Sequence, residues 1–155
     1  MRIALCSDEV YPVHELVERD LAARGHEIVR FGALRTRAET PWALSAEEAA
    51  LAVAQGRCDE GVFFCWSGTG ISISANKVGG VRAALCTDAA TARAARRYNH
   101  ANALCLSNRL LSGDVAKEII EAWFEPFPRE LGALGVADLL AVEARHLGAP
   151  PERAP

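Results

Sequence analysis

Apolar residues recur along this chain with two alternating periods. Short apolar runs without helical spacing read as strands: Arg2 to Cys6, Glu27 to Phe31, Glu60 to Cys65, Val81 to Cys86 and Ala101 to Leu106. Between them lie stretches with helical spacing. Val13, Leu16, Val17 and Leu21 mark a helix over 13–24, with Gly25 as its stop. Ser45 with Glu48 three residues on is a capping-box pattern, which predicts a helix opening at Ser45 and running to about Gln55. A short helix follows the glycine loop and reaches Lys77. Thr87 or Asp88 caps an alanine-rich helix to about Tyr98. Ser112 or Asp114 opens another, which runs through Phe124 before Pro126 and Pro128 break it. Val136 to His146 reads as a last helix. Residues 32–42, polar and containing Pro41, read as loop.

Strands separated by helices predict βαβ units, hence an α/β fold: a single doubly wound, Rossmann-like domain with a parallel sheet covered on both faces. Five strands and right-handed crossovers suggest the order 2-1-3-4-5, whose switch point lies between the first and third strands. That arrangement sets Ser7-Asp8-Glu9 beside Cys65 to Gly70. The 155 residues suit one domain over 1–149, with 150–155 a loose C-terminal tail.

Composition narrows the partners. Net charge is −3 with no basic block, which argues against nucleic acid and anionic membrane. Arg93, Arg96 and Arg97 read as a solvated helix face, and His14, His26 and His146 as surface residues. No apolar run is long enough to span a bilayer. The opening run to Cys6 reads as a strand rather than a secretion signal. The five cysteines are odd in number and lack metal-type pairing, so a reduced cytoplasmic chain without metal or cofactor is expected.

The chemistry concentrates in Cys65-Trp66-Ser67-Gly68-Thr69-Gly70 and the residues to Lys77. A thiol, a hydroxyl and two glycines stand where a strand ends and a helix begins, which is where open α/β sheets bind ligands. Glycines admit a tight turn and close approach of backbone to ligand. Amides opening a helix favour an anion and pull a nearby thiol toward thiolate. The set suits deprotonation of a carbon acid with charge appearing on oxygen.

The run Cys65 to Lys77, with Ile71-Ser72-Ile73 and Ala75-Asn76-Lys77, resembles the ribose-5-phosphate isomerase B and galactose-6-phosphate isomerase family. The likeness extends to Asp8 after the first strand, Val81-Arg82-Ala83-Ala84, Asn99 through Leu104, and Arg109. It implies a metal-free aldose–ketose isomerase working on a sugar or sugar phosphate through an enediolate, as a homodimer or dimer of dimers with sites at the interface. By that resemblance the base is Cys65, and Ser67 moves protons between the sugar oxygens. The loop amides around Trp66, Gly68, Thr69 and Gly70, with Asn99, hold the enediolate. Asp8 contacts the sugar and Arg109 binds phosphate.

The chain departs from the pattern at the recognition shell. Trp66 replaces a usual Gly, Glu9 a usual His, and Tyr98 the usual ring-opening His, a role for which His100 is the alternative. The usual C-terminal arginine pair is unmatched in Leu131-Gly132-Ala133-Leu134-Gly135. An altered substrate is therefore expected. Two other readings stand beside this one: a non-catalytic sugar or metabolite binding module on the same fold, and a thiol redox protein, weakened by the lack of a Cys-x-x-Cys.

Overall fold

The computed structural model describes residues 1–148; the tail expected from residue 150 lies outside the described residues. The chain runs β1 (Arg2–Ser7), α1 (Pro12–Ala23), β2 (Glu27–Gly32), α2 (Ala33–Thr36), α3 (Trp42–Ala54) and β3 (Glu60–Cys65). It continues through α4 (Thr69–Ala75), β4 (Ala83–Leu85), α5 (Ala89–Asn99), β5 (Ala103–Ser107), α6 (Gly113–Trp123) and α7 (Ala133–His146). All five strands pair in parallel in one sheet.

The strand order is β2-β1-β3-β5-β4, not 2-1-3-4-5. The reason lies in burial. β5 is buried along its whole length, whereas β4 has three residues, all half-buried. A short, half-covered strand is suited to the edge. The edge is also blunted by a side chain: Asn76 Oδ1 accepts from Ala83 N–H at 2.9 Å, and Asn76 Nδ2 donates to Ala83 O at 2.8 Å. The return from β4 to β5 reverses direction across the sheet. With right-handed crossovers this sends α5 to the face of α1 and α6, opposite α3 and α4.

The two faces differ in bulk. Ile3, Leu5, Val62, Phe64, Leu104 and Leu106 meet α1, α5 and α6, where Trp123 is fully buried. Ala4, Cys6, Phe63, Ala103 and Cys105 meet the alanines of α3 and Ile71 and Ala75 of α4. Strand alternation sorts large from small residues, so the alanine-rich α3 packs closely on the small-residue face. Cys65 lies on that face.

Three local expectations are corrected. α3 begins at Trp42, with Pro41 before it, rather than at Ser45. Ser45 is buried and its Oγ shares a hydrogen bond with Thr40 Oγ1 (2.8 Å), while Glu48 pairs with Arg35 instead of closing a capping box. The expected loop after β2 contains the single turn α2. Arg96 is not a solvated face: its guanidinium is buried against Glu60, 2.6 Å away.

Candidate active site

The registers decide which loops meet. Ser7 pairs with Phe64 and Cys65 with Ser107, so the chain leaves β1, β3 and β5 at one level of the sheet. A cavity of about 230 Å³ opens there, lined by Asp8, Trp42, Cys65, Trp66, Ser67, Thr69 and Gly70. Larger cavities lie elsewhere: about 250 Å³ between α1 and α6, about 460 Å³ against α7, about 310 Å³ beside Glu18 and Arg30, and about 290 Å³ beside Tyr11 and Asn108. None of these is lined by a thiol, so the smaller cavity holds the chemistry of interest.

Cys65 is the cavity's thiol, 5% exposed at the end of β3. Its carbonyl accepts from Gly68 N–H (3.3 Å), which closes a tight turn over Trp66 and Ser67. Gly68 has φ +78°, and a Cβ there would lie 2.5 Å from Leu85 Cδ1 and 3.0 Å from the Leu106 carbonyl carbon. Only glycine fits such a position. Ser67 Oγ and Thr69 Oγ1 share a hydrogen bond of 2.6 Å. At Gly70 a Cβ would meet the Trp42 ring at 3.1 Å, so the missing side chain is what admits that ring.

Asp8 closes the opposite wall. Its Oδ1 is buried and has no partner among the described residues. Burial, and next the nearby charges of Glu9 and Glu39, pushes the Asp8 carboxyl above the usual carboxylate range, against the opposing pull of local backbone N–H groups. A buried acceptor with nothing donating to it is an opening for a ligand hydroxyl. Glu9 is turned to Tyr11, whose hydroxyl donates to its carboxylate at 2.7 Å.

Other candidates lie apart. Tyr98 and Asn99 end α5, and His100 follows with φ +46°. Tyr98 is 55% exposed, and His100 Nε2 donates to Leu131 O at 2.7 Å. Asn99 lines the 460 Å³ cavity with Asn76, Arg82 and residues of α7. None of the three borders the Cys65 cavity. Arg109 is exposed beyond β5, and its N–H donates to Trp66 O (3.1 Å).

Three residues not anticipated from sequence stand out. Trp42 walls the cavity at 47% exposure, and no local pattern marks it. Asn108, buried after β5, follows the rule that loops at the carboxyl ends of strands carry function. His14 is buried at 2%, not on the surface. Its signal was present: it stands three and seven residues before Val17 and Leu21, on their face of α1, while Leu16 is 45% exposed. Burial lowers its basicity. The remaining thiols Cys6, Cys58, Cys86 and Cys105 are buried and shifted up by that burial, Cys86 to about 12, which disfavours the nucleophilic thiolate at each. No group of metal-binding side chains occurs among the described residues.

Residues 3–132 match the model of a family described as Ribose/Galactose Isomerase. Ribose-5-phosphate isomerase B of Escherichia coli K12 is 38% identical over 110 residues, covering 71% of this chain and 72% of that protein. The galactose-6-phosphate isomerase subunit LacB of Clostridium acetobutylicum is 35% identical over 126 residues, 81% of this chain and 72% of its own. The solved structure of Clostridium thermocellum ribose-5-phosphate isomerase B superposes with a TM-score of 0.86 at 34% identity, over 94% of this chain and 99% of that one.

Proposed function

The chain belongs to the ribose/galactose isomerase family, and from that premise we propose that this aldose–ketose isomerase forms its enediolate in the Cys65 cavity. Cys65 takes the proton alpha to the carbonyl. Ser67, coupled to Thr69, passes protons between the two sugar oxygens. Those amides of the 66–70 loop that the turn itself leaves free receive the oxygen that becomes anionic, usually the largest stabilisation such chemistry offers. Asp8 accepts a hydrogen bond from a sugar hydroxyl. The observation that carries this reading is the meeting of one thiol, the unpartnered Asp8 Oδ1 and the turn amides around a single cavity.

Tyr98, Asn99, His100 and Arg109 complete the site from a second copy of the chain or from the cavity rim. The separation of Tyr98 to His100 from Cys65 supports the first route for those three, hence a homodimer or a dimer of dimers. The substrate is a small sugar or sugar phosphate. Its recognition differs from that of ribose 5-phosphate enzymes, because two half-exposed tryptophans and Asp8 line the cavity and none of its lining residues is a Lys or Arg. Five free, buried thiols favour the reducing cytoplasm.

Incubation with a panel of aldoses and aldose phosphates in D₂O tests the reading. Deuterium is expected at C1 or C2 of at least one sugar, and Cys65→Ala is expected to abolish it with an unchanged fold, since general acid–base help is worth about 10²–10⁴-fold. Exchange that survives Cys65→Ala at the parent rate refutes the assignment. Ribose 5-phosphate as the best of the panel, at kcat/KM near 10⁴ M⁻¹s⁻¹, a typical enzyme value, refutes the altered recognition.

A further inference from the structure

The carbonyls of the turn after β3 are held from β5. Asn108 N–H donates to Cys65 O at 2.9 Å. Ser107 Oγ donates to Trp66 O at 2.9 Å, and Arg109 N–H donates to the same oxygen at 3.1 Å. In a planar trans peptide the C=O and N–H point in opposite directions. Carbonyls aimed at β5 therefore turn the N–H groups of Trp66 and Ser67 toward the β1 side, where Asp8 and the cavity lie. Neither N–H donates to a protein atom among the described residues.

The clamp has its own support. Asn108 Oδ1 accepts from His14 Nε2 at 2.7 Å, and Asn108 Nδ2 reaches Ser7 Oγ at 3.4 Å. His14 Nδ1 accepts from Tyr11 N–H at 3.1 Å, so the ring is the neutral Nε2–H tautomer. It is wedged against Phe64, centroids 4.6 Å apart. Ser107, Asn108 and His14 are all buried. The loops after β1, β3 and β5 and the start of α1 are thereby joined in one network.

We propose that Ser107, Asn108 and His14 are positioning residues that lock the Trp66 and Ser67 amides as the oxyanion donors of the reaction. This rests on the reading that the enediolate forms in the Cys65 cavity. A fixed dipole contributes because it needs no reorganisation when charge appears. A turn free to rotate its peptide planes presents carbonyls to the same oxygen. The neutral ground-state sugar feels little of this, so the loss falls on kcat and spares KM.

The test compares Ser107→Ala, Ser107→Thr, His14→Gln and His14→Asn with the parent, on the sugar of the panel that exchanges best. Gln keeps a donor where Nε2 stood, and Asn keeps the acceptor where Nδ1 stood. Ser107→Ala is expected to lower kcat about tenfold with KM within about twofold, less than the 10²–10³-fold for losing a whole donor because Arg109 N–H still holds Trp66 O. Ser107→Thr is expected to restore most of the rate. His14→Gln should retain a higher kcat than His14→Asn at similar Tm. The proposal is overturned if Ser107→Ala keeps the parental kcat, if its loss appears in KM alone, or if the two His14 variants follow Tm rather than the Asn108 bond. Should Ser107→Ala fail to fold, the His14 pair decides alone. Cys65→Ala, run alongside, separates the two levels: exchange that persists there sinks the active-site reading, whereas a silent Cys65→Ala with an undisturbed Ser107→Ala sinks only the clamp.

Discussion

Asp8 and Gly68 show at the level of single residues how the site is held at a cost to stability. A carboxyl whose folded-state pKa is raised binds its proton more tightly in the folded chain. Its contribution therefore favours folding in acid and declines as pH rises from the unfolded value of about 4 through the folded one. Asp8→Asn removes that penalty. The variant is expected to melt higher than the parent above pH 6 and to converge with it below pH 4, with isomerase activity reduced at every pH; calorimetry across pH 3.5–7.5 checks it. Gly68→Ala is expected to act in the opposite direction. A side chain at φ +78° that meets Leu85 and the Leu106 backbone costs about 1–3 kcal/mol. It should also displace the turn, so both Tm and kcat fall. An unchanged Tm in Gly68→Ala contradicts the packing described around β5.

Between elements, a buried polar tie lies on the far side of the sheet from the cavity. Glu60 at the start of β3 meets Arg96 of α5 at 2.6 Å and accepts from Trp123 Nε1 of α6 at 2.7 Å. Arg96 also donates to the carbonyls of Trp123 (3.1 Å) and Ala101. Burial pushes the Glu60 carboxyl upward more than Arg96 draws it down, so the pair's value lies in the bonds that fix α5 and α6 to β3. Removing one partner strands the other charge. Arg96→Met is expected to destabilise by about 3–5 kcal/mol, and the double variant Glu60→Gln with Arg96→Met by clearly less. Urea unfolding of the three proteins decides this; equal losses in single and double variants count against a coupled pair.

Across the whole molecule, one apolar surface is left largely uncovered among the described residues. No residue of α7 is buried; Leu134 is 86% exposed, and Leu139, Leu140 and Val142 are each more than 40% exposed. The helix stands over the 460 Å³ cavity that contains Asn99, beside the edge strand β4. Covering such a surface with a second copy removes apolar area from water, worth roughly 25 cal/mol per Å². Light scattering at micromolar concentration is expected to give at least twice the chain mass. Leu139→Asp with Leu140→Asp is expected to yield a folded monomer without isomerase activity. A fully active monomer ends the dimer proposal.

Local pattern was enough for much of this. The existence and sequence of the five strands, the helices between them apart from the single turn α2, and the strand-to-helix turn from Cys65 to Gly70 follow from periodicity and from glycines at fixed places. These are short-range properties of neighbouring residues. Sequence also carried the family likeness, because the turn tolerates so few residue types at Gly68 and Gly70. The order of the strands was not legible. Ala83–Leu85 and Ala103–Ser107 are both short and apolar, and only the competition for two-sided burial sends one to the edge. The environment of Arg96, His14 and Trp42 was equally hidden, since each meets residues distant in the chain: Glu60, Asn108 and the Gly70 backbone. Local spacing specifies which side of an element is apolar. What each side finally faces is decided when the elements pack, and at this site that packing turns a buried histidine and an asparagine into the support of a loop 40 residues or more away in sequence.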